Sequence, residues 1–167
     1  MMACLDVFYR DSDAWAACVV FDGWRATAAA RELVREFHDV AEYEPGNFFR
    51  RELPCLVGVL RELPNAPEVV IVDGYVWLDG AGRPGLGAHL YDALGRATPV
   101  VGVAKSAFPG APAVEVLRGR SKTPLYVTSA GADAGLAAEN IRKMSGEHRI
   151  PSLLKRADHL CRAARTS

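Results

Sequence analysis

Apolar residues in this chain fall into short runs bounded by turn-forming residues: Met1 to Phe8 broken only by Asp6, then Ala14 to Phe21, Val69 to Val72 and Val100 to Val103. Unalternated runs this short predict strands covered on both faces. Asp11-Ser12-Asp13 and Asp22-Gly23 predict tight connections. Beyond them, either Trp24 to Ala30 returns as a third strand or it leads into Arg31 to Val40. Three antiparallel strands therefore open the chain.

Periodicity changes at Asn47 to Leu63. At about 100° per residue, Phe49, Leu53, Leu56, Val59, Leu60 and Leu63 share one stripe, with Arg50, Arg51, Arg61 and Glu62 off it. This predicts a helix with Asn47 as N-cap and Pro54 in its first turns. Ala88 to Leu94 predicts a second helix. Strand, helix and strand in succession make the runs ending at Asp73 and Lys105 parallel neighbours through a right-handed crossover. Ala113 to Leu117 and Pro124 to Thr128 predict a hairpin around Arg118-Gly119-Arg120-Ser121-Lys122, read as a solvated basic turn, with phosphate contact the alternative. Ala132 to Met144 predicts a third helix, and a basic helix at about residues 151–167 packs on the body through Leu153, Leu154, Ala157 and Leu160. The pattern predicts a single α/β domain over 1–167, with a mixed sheet flanked by helices.

Composition adds little. Lys plus Arg and Asp plus Glu number 20 each, so no bulk positive field marks a nucleic-acid binder and a contact of that kind needs a local patch. The four cysteines form no C-x-x-C pair and read as core residues in a reducing compartment. No leader is seen before the first strand, and no apolar run approaches the roughly 20 residues of a membrane span. A cytoplasmic protein without a membrane partner is expected, and no protein partner is indicated. Asp79-Gly80-Ala81-Gly82-Arg83-Pro84-Gly85-Leu86-Gly87 is too irregular for a phosphate-cradling motif.

The placement of three acids matters more than their number. Asp73 ends the central strand, where Asp-Gly could be only a turn. Asp6 interrupts the first strand, and facing water by alternation would make it unremarkable. Glu52 lies inside the apolar stripe, where a carboxylate is costly unless it pairs, with Arg51 for instance, or binds a metal. Gathered at one sheet edge, these acids suit hard divalent cations such as Mg²⁺ or Mn²⁺, which prefer carboxylate oxygens and keep waters for a phosphate. Two such ions about 4 Å apart serve phosphodiester hydrolysis. The order of three antiparallel strands, helix, strand, helix and strand is that of a ribonuclease-H-like fold.

Leu5-Asp6-Val7-Phe8-Tyr9 resembles the opening strand of the endonuclease V family, and Tyr43-Glu44-Pro45-Gly46 with Phe49-Arg50-Arg51-Glu52 is similar to its Y-x-P-G and F-R-E segment. Val72-Asp73-Gly74, Gly85-Leu86-Gly87-Ala88-His89-Leu90, Val101-Gly102-Val103-Ala104-Lys105-Ser106, Arg149-Ile150-Pro151 and Arg156-Ala157-Asp158 continue the likeness in order. The resemblance implies a Mg²⁺-dependent endonuclease, with Mn²⁺ also usable, cutting DNA or RNA on the 3′ side of inosine, deoxyinosine or a related deaminated base. It implies Asp6, Glu52 and Asp73 as metal-site acids, Lys105 as the catalytic cation and Tyr43 with Pro45 as a wedge. Gly46, Phe48, Gly74 and His89 would border the base pocket. A weakly paired lesion base is cheap to flip, which supplies part of the selectivity.

The chain departs from the family pattern in places. Tyr75-Val76-Trp77-Leu78-Asp79-Gly80 stands where a His-Pro-Arg element is usual, keeping only Arg83, and Glu42 stands where proline is common. Gly131-Ala132-Asp133 replaces a Gly-His-Arg, so Asp133 is expected as an additional metal acid, and the usual helical leader is not seen. Two alternatives follow: a module that binds lesion or structured nucleic acid without cutting, and a metal-dependent phosphohydrolase acting on small nucleotides.

Overall fold

A computed structural model describes residues 1–166. Seven strands form one mixed sheet: β1 (Met2–Arg10), β2 (Asp13–Phe21), β3 (Arg31–Phe37), β4 (Val69–Asp73), β5 (Val100–Ala104), β6 (Val114–Val116) and β7 (Leu125–Ala130). Their order across the sheet is β3-β2-β1-β4-β5-β7-β6. The first three pair antiparallel, β1, β4 and β5 run parallel, and β7 returns antiparallel between β5 and β6. Four helices cover it: α1 (Phe49–Leu60), α2 (Leu86–Ala93), α3 (Ala134–Lys143) and α4 (Ser152–Ala164). This is the mixed α/β architecture expected from the hydrophobic pattern, and none of the described helices is long and apolar enough to cross a membrane.

The unalternated runs are explained by two cores. Ala3, Leu5, Val70 and Val72 face the side covered by α1 and α2, while Cys4, Ile71, Val101 and Val103 face the side covered by α3 and α4. With both faces covered, strand alternation sorts side chains between two apolar cores rather than between core and water. Strand β3 sits at the sheet edge, and its Arg31-Glu32 and Arg35-Glu36 pairs are exposed, as suits an edge that must resist further pairing.

Of the two courses open to Trp24 to Ala30 the chain takes the second: it is a looping connection, closed by Ala26 N–H donating to the Gly23 carbonyl, that leads into β3. Two local expectations change. Asn47 does not cap α1 with its side chain: Phe48 holds the cap position, and Asn47 contributes its backbone carbonyl to the Arg50 N–H. Pro54 is accommodated inside α1 because it lies on the exposed side, where the carbonyl left without a donor faces water.

The second change concerns the basic turn. Arg118 is buried, and its guanidinium donates to the carbonyls of Arg142, Met144, Ser145, Gly146, His148 and Arg149. A planar five-donor group serves a run of helix-end and loop carbonyls, of which Ser145 also accepts from the Ser152 N–H. Gly119 allows the approach, since a Cβ there would meet the Glu147 carbonyl oxygen at 2.2 Å. Arg120 and Lys122 remain exposed. The connection that delivers α4 to the sheet is thus pinned by Arg118.

Candidate active site

Register brings the acids together. Leu5 of β1 pairs with Val72 of β4, so Asp6 and Asp73 stand side by side where the pairing of these two parallel strands ends, β1 itself running on to Arg10 against β2. Asp73 in turn pairs with Val103, which sets Lys105 beyond the end of the neighbouring strand. The Lys105 ammonium donates to Asp73 Oδ2 at 2.9 Å. Asp6 accepts from the Val7 N–H at 2.8 Å. Glu52 lies on the stripe of α1 that buries Cys55, Leu56 and Val59, and half-buried it reaches the same edge.

Crowding shows in the acid–base properties. Burial, then Asp6 and Asp73, push Glu52 from 4.5 up to about 8, with Arg51 opposing. Burial, then Asp73, raise Asp6 from 3.8 to about 6, while the Val7 N–H lowers it and Asp158 adds a smaller repulsion. For Lys105 burial favours the neutral amine, but the hydrogen bond and charge of Asp73, helped by Asp6 and Asp158, outweigh it and hold the ammonium above its ordinary value. Tyr9 stands in the same environment, its hydroxyl buried without a hydrogen-bond partner among the described residues and its acidity suppressed first by burial and then by Glu52. The Arg51 guanidinium lies 4.0 Å from the Tyr9 ring centroid.

Asp158, at the end of the Arg-Ala-Asp motif, joins this group although its place among the acids was not singled out from the sequence. It projects from α4 into a cleft of about 270 Å³ that Asp6, Asp73 and Lys105 also line. A carboxylate oxygen of Asp158 and one of Asp6 come within 4.8 Å of each other. Position in an amphipathic helix was the available signal, but nothing in the sequence said which face of α4 meets β1.

Asp133 is not brought to this edge. Strand β7 runs antiparallel to β5 and ends at Ala130 opposite Val100, which is the other end of the sheet from Asp73. There Asp133 caps α3, accepting from the Leu136 N–H at 2.8 Å. A single antiparallel strand reverses the edge at which the following loop emerges, so the extra acid becomes an ordinary N-cap.

Beyond Asp73 a second cleft, of about 320 Å³, opens on the α1 and α2 side. Tyr43, Gly46, Phe48 and Gly74 line it, Tyr43 and Phe48 being exposed. Pro45 is exposed in the loop beside Tyr43. His89 does not line the cleft but stacks on Phe49, with ring centroids 3.7 Å apart and planes at 14°, so it backs the wall from behind. Tyr75 and Phe108 were missed from the sequence; they line the cleft with their rings 5.9 Å apart, and the Tyr75 hydroxyl donates to the Ser106 carbonyl at 2.6 Å. The clue was the position of Tyr75 directly after the Asp73-Gly74 strand end.

The donor set fits a hard divalent cation. Carboxylates from β1, α1, β4 and α4 crowd one edge, Lys105 is committed to Asp73, and burial together with the remaining repulsion raises Asp6 and Glu52. The sequence model of the endonuclease V family matches residues 1–135. The chain belongs to the endonuclease V family. Endonuclease V from Streptomyces avermitilis is 33% identical over 96% of this chain and 78% of its own length, and that from Streptomyces coelicolor 34% over 96% and 77%. The crystal structure of the Streptomyces avermitilis endonuclease V superimposes with a TM-score of 0.79 at 29% identity, covering 99% of this chain and 81% of that one. An endonuclease V of Ciona intestinalis, in complex with DNA containing an inosine followed by a ribo-adenosine, shares the fold with a TM-score of 0.85 at 18% identity, covering 99% and 85%.

Proposed function

We propose that this member of the endonuclease V family is a Mg²⁺-dependent endonuclease, with Mn²⁺ as a second usable ion, that hydrolyses a phosphodiester bond on the 3′ side of inosine or deoxyinosine in DNA or RNA. One observation above all supports this: carboxylates from separate elements meet at one sheet edge, where burial first and their mutual repulsion second raise Asp6 to about 6 and Glu52 to about 8. Unpaired carboxylates are costly to gather in that way unless a cation compensates them.

Asp6, Glu52, Asp73 and Asp158 supply the oxygens for the cation, which when bound activates water and stabilises the leaving oxygen. Lys105 fixes the orientation of Asp73 through its 2.9 Å hydrogen bond and has further N–H donors for a phosphate oxygen. Tyr43 and Pro45 enter the duplex beside the lesion. The extruded base lies in the cleft of Phe48, Gly46, Gly74, Tyr75 and Phe108, where aromatic faces stack on it and exclude water. His89 keeps Phe49 in place behind that wall.

The deciding experiment is cleavage of an end-labelled strand with one inosine, as DNA and as RNA, with Mg²⁺ or Mn²⁺. A single cut on the 3′ side, lost in Asp73→Ala, is the expected result. Intact strands under every combination would refute it, and retardation on a gel without cutting would make the protein a binding module.

A further inference from the structure

The acids stand between two clefts that open on opposite faces of the sheet. Cys4, Ile71 and Val103 line the cleft of about 270 Å³ and belong to the side covered by α3 and α4, whereas Phe49 and Leu86 line the aromatic cleft from the side covered by α1 and α2. Asp73 borders the first and Gly74, the next residue, borders the second. A strand whose flipped base fills the aromatic cleft and whose phosphate meets the acids therefore crosses the sheet edge and runs on toward the other cleft.

That other cleft holds more than acids. Ile150 and Leu154 join Ile71 and Val103 in an apolar lining that offers no hydrogen bond to a base edge. Among its basic groups, Lys105 is held by Asp73, and Arg149 by the carbonyls of Lys105 and Pro124. Lys155 and His148 line it too, exposed and without an ion-pair partner among the described residues. Sites for small ligands run to roughly 300–1,000 Å³, so a cleft just below that range has room for a single nucleoside.

We propose that this cleft is the subsite for the nucleoside just beyond the cut bond, and that Lys155 at its rim binds the phosphate that follows, with His148 beside it. The base and sugar pack on Ile71, Val103, Ile150 and Leu154. Lys155 precedes Asp158 by three residues on α4, which offers its ammonium to the phosphate next along from the one at the acids. Because the lining is apolar, the grip is indifferent to base identity and depends on the phosphate. The lesion is thus read on one face of the sheet and the onward strand is held on the other. The position of the cut rests on the nuclease reading; the grip on the onward strand does not.

The test uses the full chain and inosine-containing DNA strands that end one, two or three nucleosides beyond the inosine, each with and without a terminal 3′-phosphate. Fluorescence anisotropy with Ca²⁺ in place of Mg²⁺ gives Kd, and Mg²⁺ is then added to follow cleavage. One added phosphate in the series is expected to tighten binding about fivefold or more, whichever base precedes it. In Lys155→Gln that gain disappears, and the slope of log Kd against log salt falls by about 0.7 for strands that carry this phosphate alone. Lys143→Gln, an exposed lysine of α3, keeps the gain. Equal affinity throughout the series, or a gain undiminished in Lys155→Gln, overturns the proposal. Should Lys155→Gln fail to fold, an abasic sugar in place of the nucleoside before that phosphate decides with the wild type: weaker binding supports the subsite and unchanged binding overturns it. The gain in a protein that leaves every strand intact supports the subsite while refuting the nuclease reading, and cleavage without the gain does the reverse.

Discussion

Lys105 Nζ sits 2.9 Å from Asp73 Oδ2, joining the ends of two parallel strands whose register places Asp73 opposite Val103. Both side chains are nearly half exposed, so the pair contributes little to stability, at most about 1 kcal/mol. Its value is positional. Lys105→Met is expected to lower kcat/KM for inosine-strand cleavage by on the order of 100-fold, the usual cost of removing a charge-stabilising donor. Denaturant midpoints of the variant should stay close to wild type, which separates a site effect from unfolding.

Stability of the metal-free protein should fall as pH rises. Asp6 goes from 3.8 to about 6 and Glu52 from 4.5 to about 8 on folding, so between these values the folded state binds protons more tightly than the unfolded chain. Their contribution is complete below the unfolded values and is lost as pH climbs through the folded ones. Urea unfolding is expected to show a loss on the order of a few kcal/mol between about pH 5 and about pH 9, much reduced in Glu52→Gln. Mg²⁺ added at the alkaline end should restore stability by binding the folded state. A flat profile would show that the acids are not buried and crowded as described.

Arg118→Met should be among the most damaging substitutions far from the acids. It leaves carbonyls of Arg142, Met144, Ser145, Gly146, His148 and Arg149 without their shared donor and loosens the connection into α4. A loss of about 2–4 kcal/mol is expected in thermal or urea unfolding. Arg118→Lys should recover little, because one ammonium cannot span those carbonyls.

Asp133→Ala, by contrast, should cost about 1 kcal/mol through the lost cap of α3 and leave cleavage unchanged. Diminished metal affinity in that variant would contradict its position at the far end of the sheet.

The sheet and helices were legible in the sequence wherever local pattern decides them. Unbroken apolar runs marked β4 and β5, and the stripe from Phe49 to Leu60 marked α1 together with the anomalous Glu52 on its buried face. Asp73 and Lys105 were singled out from strand ends and the crossover rule, which fix an edge without side-chain detail, and Asp6 as a carboxylate interrupting an apolar strand. What depends on tertiary direction was not legible. Asp133 was misplaced because the sense of β7 decides which edge its loop reaches, and Asp158 was passed over because the docking face of α4 is set by the Arg118 anchor. Arg118 itself looked like one more basic turn residue, since only the folded chain shows the carbonyls it serves.

The convergence of Asp6, Glu52 and Asp73 on a cation is tested most directly by anomalous diffraction from crystals soaked in Mn²⁺. Density is expected at the carboxyl edge of β1 and β4, in contact with oxygens of all three side chains. Density confined to another acidic cluster, such as Asp13, Glu36 and His38 on the outer strands, with Asp6 and Glu52 left without a shared ion, would contradict it.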